Sequence, residues 1–155
     1  MVEESEKHVV SREAPETRDR YQHFLSIPTR WMDNDVYVHV NNVVYYSYFD
    51  TVVNGYLISS GVLDIEESPV IGLVVETQCR FFRPIAFPDI VHAGLRVARL
   101  GNSSARYEIG LFRNDDEIAA AQGHFVHVYV DRETRKPAGL PQEMRAALER
   151  LLVQE

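Results

Sequence analysis

Between Asn41 and Ser60 the chain carries a helix-period run that is apolar over more than half of its circumference. Tyr45, Phe49, Val52, Val53 and Tyr56 recur at helical spacing, and Val44, Tyr46, Tyr48, Leu57 and Ile58 widen the stripe. Only Ser47, Asp50, Thr51 and Asn54 remain for a wet side. A helix lying on a surface needs about a third of its girth apolar, so this one has to be wrapped. Asn41 or Asn42 supplies the N-cap, and Gly61 stands where a left-handed residue ends the run.

The rest of the chain supplies the wrapping. Leu73, Val75, Thr77, Cys79 and Phe81 alternate with Glu76, Gln78 and Arg80, so they predict a strand with one apolar face. Val91, Ala93, Leu95 and Val97 repeat the pattern against His92 and Arg96, as do Ala105, Tyr107, Ile109 and Leu111 against Arg106 and Glu108. From Ile118 to Val130 both faces are fairly apolar, as in a strand covered on both sides. Turn residues at 84–89, 101–103 and 114–116 separate these runs and predict a four-strand antiparallel meander. Upstream, Leu25, Ile27, Thr29 and Trp31 alternate with polar neighbours, and Pro28 assigns that strand to an edge. Pro141 opens a short helix with Met144, Leu148, Leu151 and Leu152 on one side. The expected class is α+β, an antiparallel sheet around one long central helix.

A chain of 155 residues makes one domain, expected over 21–155. Residues 1–20 hold ten charged side chains and no aromatic one, which predicts a mobile tail. The net charge of −7 offers no basic face for nucleic acid. One cysteine, Cys79, rules out an intrachain disulfide, and its place on an apolar face predicts a small core residue. With no signal-like leader and no run of about 18 apolar residues, the expected protein has no membrane span and is cytoplasmic.

The chemistry concentrates in Arg30 to Tyr45. Asp33, Asp35, His39, Asn41 and Asn42 fall between a strand and the start of the most apolar helix. Free N–H groups at a helix start stabilise negative charge growing on an oxygen, and a nearby carboxylate serves as base or nucleophile toward an activated acyl group. Turn and cap duty explains the same residue types equally well.

Asp33-x-Asp35-x-x-x-His39-Val40-Asn41-Asn42-x-x-Tyr45 resembles the D-x-D-x-x-G-H-V-N-N-x-x-Y segment of the hotdog-fold acyl-CoA thioesterases of the 4-hydroxybenzoyl-CoA thioesterase family. The resemblance extends in element order from about His23 to Tyr129. It implies a sheet wrapped around the long helix, chains paired edge to edge as a homodimer or dimer of dimers, and an acyl thioester at the interface. It puts the catalytic carboxylate on Asp35 and the carbonyl-polarising amide on Asn42, with His39 beside them. It calls for no metal and no cofactor apart from the coenzyme A of the substrate. Tyr45 is the candidate to line the acyl pocket. One subgroup carries a CoA-phosphate cluster at the turn before its fourth strand, here Gly101-Asn102-Ser103. Arg83, Arg99 and Arg106 lie in that region as candidate substitutes, with solvated surface the plainer reading of exposed arginines. Val38 stands where the family has Gly; the expectation is that it takes an ordinary conformation and packs its methyls inside.

The residues leave alternatives open. A non-catalytic acyl-CoA sensor fits Val38, whereas a hydratase or dehydratase of the same fold lacks its D-x-N-P-x-H signature here. No G-x-S-x-G elbow marks a serine hydrolase. His39 is expected chiefly to hold its turn by bonding to backbone. His124 and His127 fall on opposite faces of one strand and cannot share an ion.

Overall fold

The computed structural model describes residues 14–153. Its strands are β1 (His23–Pro28), β2 (Val70–Phe81), β3 (Ile90–Leu100), β4 (Ser104–Arg113) and β5 (Ala121–Asp131). The long helix α1 (Asn42–Ser59) follows β1, and a short α2 (Gln142–Glu149) closes the domain. Every strand pairing is antiparallel, in the order β1-β3-β4-β5-β2. This is the hotdog arrangement, with α1 as the filling. Tyr45, Tyr48, Phe49, Val52, Val53, Tyr56 and Leu57 of α1 are buried in one core with Val91, Ala93, Leu95, Tyr107, Ile109 and Leu111 from the sheet. Asn41 caps the helix through its side chain, and Gly61 takes φ +74° beyond its end. Pro28 closes β1 at the sheet edge, where its missing N–H costs no ladder bond.

The sheet departs from the expected meander. β3, β4 and β5 do form one, but β2 pairs with β5 at the far side, and β1 takes the place beside β3. The link from β2 to β3 is no hairpin: Phe82 and Arg83 give their N–H groups to Ala120 O, and Val40 N–H reaches Ile85 O. That crossing past the start of α1 carries β2 to the opposite edge of the sheet.

The alternation expected along β2 also breaks. A bulge between Val74 and Glu76 shifts the register on β5. Thr77, Cys79 and Phe81 keep the face of Phe125 and Ala121, whereas Leu73 pairs with Val128 and turns to the outer face. Most of β2 is exposed, Leu73, Val74 and Val75 included, and no other described strand pairs with its far side, so the strand is a long sheet edge with an apolar stretch.

The expectation of a mobile tail fails over 14–20, while residues 1–13 lie outside the described residues. Residues 14–20 dock on the outer face of the sheet. Ala119 N–H donates to Glu16 O, Thr17 bridges Ile118, and Arg18 N–H donates to Glu117 O. The reason lies in Gly94 and Gly110 on the outer face: a Cβ at either would come within 3 Å of the Tyr21 ring. Tyr21 fills that trough, packs edge-on to Phe112 at 5.8 Å, and carries the Arg96 guanidinium 4.6 Å from its ring centroid. None of the described helices is long and apolar enough to cross a membrane.

Candidate active site

The motif segment leaves β1 through a one-turn 3-10 helix at Trp31–Asp33, which ends the alternation before Trp31 and leaves that ring 74% exposed. Asp33 anchors the loop that runs on to α1. Its carboxylate is 1% exposed and accepts from Arg30 N–H (2.8 Å), Arg30 Nε (3.0 Å) and Nη2 (2.8 Å), and the Tyr48 hydroxyl (2.9 Å). Its carbonyl accepts from Asn41 N–H at 2.9 Å. Burial pushes the Asp33 carboxyl up, but the Arg30 and Tyr48 donors outweigh it and hold the group below the usual carboxylate range. Burial and the neighbouring Asp33 carboxylate push the Tyr48 phenol well up, so it stays a donor.

From that anchor a tight tip projects. Asp35 N–H donates to His39 O at 2.8 Å, Val38 N–H to Asp35 O at 3.1 Å, and Tyr37 N–H to Asp35 Oδ1 at 2.8 Å. Asn34 pairs across the base with Val40. The other Asp35 oxygen takes no hydrogen bond from the described residues. Val38 sits at φ +67° and is 61% exposed, contrary to the expectation of an ordinary, inward-packed residue. The turn demands the left-handed geometry that Gly gives freely, and here a β-branched residue adopts it under strain. The His39 expectation also changes: its carbonyl holds the turn, while its exposed imidazole lines the cleft with no hydrogen bond to the described residues.

Beside the tip lies an open cleft of about 410 Å³. Asp35, His39, Val40, Asn42 and Tyr45 form one wall, and Phe81, Phe82, Arg83 and Pro84 form the other. Asn41 Oδ1 accepts the Val43 N–H at 3.0 Å, and Val44 N–H turns back to Asn41 O. The Asn42 N–H, the first of α1, donates to no described residue, so it is free at the positive end of the helix. Tyr45 stands edge-on to Phe81 at 4.9 Å, and burial pushes its phenol up to about 12. The cleft thus gathers a free helix amide, a carboxylate and an imidazole, groups able to polarise a carbonyl and to activate water.

Of the residues expected at the site, Asp35, His39, Asn42, Tyr45 and Arg83 share this cleft. Arg83 reaches back 3.8 Å to Asp116. Arg99 and Arg106 lie elsewhere on the domain. Arg99 borders a groove with Leu100 and Leu152. Arg106 lies on the outer face, 3.6 Å from Glu108 and 3.3 Å from His124 Nδ1. Periodicity alone makes Tyr48 plain core and Phe82 and Pro84 plain turn residues; the i to i+15 pairing of Asp33 with Tyr48 leaves no local signal. His124 and His127 do face opposite ways, the first toward Glu76 and the second into the core. Burial pushes the Cys79 thiol up to about 12, which keeps it protonated and unsuited to attack.

A family model described as the thioesterase-like superfamily matches residues 29–148. Among solved structures, the PA5185 protein of Pseudomonas aeruginosa is 54% identical over 92% of this chain and 99% of its own, with a TM-score of 0.88. The PA2801 protein of the same organism, provisionally described as a thioesterase, is 30% identical over 82% of this chain and 98% of its own, with a TM-score of 0.77. DHNA-CoA thioesterase from Staphylococcus aureus shares the fold at 19% identity and a TM-score of 0.74, covering 82% of this chain and 88% of its own. No curated protein matches the chain.

Proposed function

The chain belongs to the thioesterase-like superfamily, and we propose that the thioester it hydrolyses is an acyl-CoA. The observation that carries this reading is the pairing of the Asp35 carboxylate with the free Asn42 amide on one wall of a single cleft. In the reaction the acyl carbonyl oxygen accepts a hydrogen bond from Asn42 N–H, where the helix dipole favours the developing oxyanion. Asp35 then either draws a proton from water, whose oxygen attacks the carbonyl carbon, or attacks that carbon itself to form an anhydride that water opens. Either course breaks the C–S bond and releases CoA thiol and the free acid. His39, exposed beside Asp35, orients the water. Tyr45, Phe81 and Phe82 border the acyl group, and Arg83 meets an anionic part of the CoA. The reaction calls for no metal or redox cofactor.

The partner in this reading is a second copy. β2 is twelve residues long, pairs with β5 on one side only and exposes Leu73, Val74 and Val75, and pairing two such edges about a two-fold axis makes one continuous sheet of two copies. Arg99 and Arg106 lie away from their own cleft, so any part they play in binding CoA runs through an assembly.

A panel of acyl-CoAs incubated with a thiol reagent tests the function. Free CoA above the uncatalysed rate is the expected result. A change in enoyl absorbance without thiol release would instead mark a hydratase, and binding without turnover a sensor.

A further inference from the structure

We propose that Asn34 is a positioning residue that fixes the Asp35 tip against the opposite wall of the cleft; this rests on the functional reading above. The two walls come from segments distant in sequence, the tip with the start of α1 on one side and the end of β2 with its crossover on the other. The Tyr45 hydroxyl and the Ile85 backbone link them at the helix, and two further hydrogen bonds link them at the loop that carries Asp35. One is backbone to backbone, Val40 N–H to Ile85 O at 2.7 Å, and any residue at those positions makes it. The other is the Phe87 N–H donating to Asn34 Oδ1 at 3.0 Å, and it depends on one side chain adjacent to Asp35.

The tip's remaining bonds are internal. Asp35 to His39, Val38 to Asp35 and Tyr37 to Asp35 hold the turn together but do not aim it. Val38 keeps its left-handed strain, which persists only where the surroundings over-determine the backbone. Asn34 supplies that outside constraint from the residue before the carboxylate. Its other atom shows what the position is for: Nδ2 is buried with no partner among the described residues. A buried, unpaired amide donor is a stability loss, so the Oδ1 acceptor is the part of Asn34 that is used. Asn34 does not border the cleft and acts on the reaction only through Asp35.

The test compares Asn34→Ser, whose side chain is too short to reach Phe87, with Asn34→Asp, which keeps an acceptor there. Steady-state rates on the best acyl-CoA are measured across pH, with melting temperature and hydrogen exchange at the Phe87 amide. In Asn34→Ser the Phe87 amide loses protection and kcat falls roughly 10- to 100-fold while KM stays within about threefold, since a misplacement near 1 Å costs that much in rate. In Asn34→Asp protection returns and kcat at alkaline pH recovers to within about fivefold. The acid limb of its profile moves to higher pH, because a second carboxylate beside Asp35 favours the protonated form. A Ser variant with wild-type kcat overturns the proposal, as does a loss that Asp does not restore, or a Ser variant that fails to fold, which makes Asn34 a folding residue. Absence of turnover in the wild type sinks the functional reading itself and is told apart from these by the wild-type control.

Discussion

The anchor of the motif loop and its tip lie two residues apart in sequence and in opposite environments. At the anchor, Asp33 is sealed from water, and donors from Arg30 and Tyr48 fill its carboxylate from within the chain. At the tip, Asp35 gives one oxygen to the Tyr37 amide and presents the other to an open cleft, flanked by Val36, Tyr37 and Val38, all largely exposed. A carboxylate whose hydrogen-bonding capacity is used up is structural; one with an oxygen to spare beside a free helix amide is fit for chemistry. Two carboxylates at a spacing of two differ in kind because one is satisfied by the chain and the other is not.

Substitutions at the two carboxylates test this contrast most strongly. Asp35→Asn is expected to keep the melting temperature within a degree or two and to lower kcat at least about 100-fold, read by thiol release. Asp33→Ala is expected to do the reverse in kind: it strands the Tyr48 hydroxyl and the Arg30 amide, lowers stability by on the order of 2–3 kcal/mol in urea titration, and affects rate only through the folded fraction. Equal kinetic losses from both changes would dissolve the distinction.

Acid sharpens it further. The Asp33 carboxyl is held below its ordinary 3.8, so its contribution to stability is complete above that value and is lost as pH falls through the lower folded one. An Asp33→Asn variant lacks that increment, so its stability should depend less steeply on pH below about 4 than that of the wild type. Tyr48→Phe removes one donor from the anchor and should cost about 1 kcal/mol with kcat unchanged. The smallest effect is at the tip: Val38→Gly relieves the left-handed strain and should raise the melting temperature by a few degrees, since a residue forced into that region costs on the order of 1 kcal/mol. A fall in melting temperature would mean that the isopropyl group packs against something after all.

Much of this fold is written locally. The wide apolar girth of α1 demands a wrapping sheet, and Asn41 and Gly61 bound the helix where side-chain chemistry says they should. What periodicity does not carry is which strands become neighbours. β2 and β3 are consecutive and similarly patterned, yet the crossover tied to Val40 and Ala120 sends β2 to β5, an outcome set by contacts far away in sequence on either side. The bulge at Val75 is equally silent, since one extra residue inverts a face without changing composition. At the site, the motif holds Asp35 and Asn42, which the fold brings to one cleft, while the hydrogen bonds of Tyr48 and Asn34 emerge only once the helix and the crossover are folded against the loop. The docking of residues 14–20 is hidden for a related reason: their charge argues for water, and the trough beside them is made by two glycines that become cross-strand partners only once β3 and β4 pair.

Trp31 is the chain's single tryptophan, and it stands largely in solvent on the segment that leads into the tip, edge-on to Phe87 at 5.9 Å. Phe87 is also the residue whose amide Asn34 holds. The indole therefore reports optically on the hinge between the two walls with no label added. In the isolated chain its emission is expected to be that of a wet indole and readily quenched by iodide. Anything that covers that rim, a second copy or a bound thioester, should shift the emission to the blue and slow the quenching, so one titration against protein concentration and one against acyl-CoA separate assembly from substrate by their midpoints.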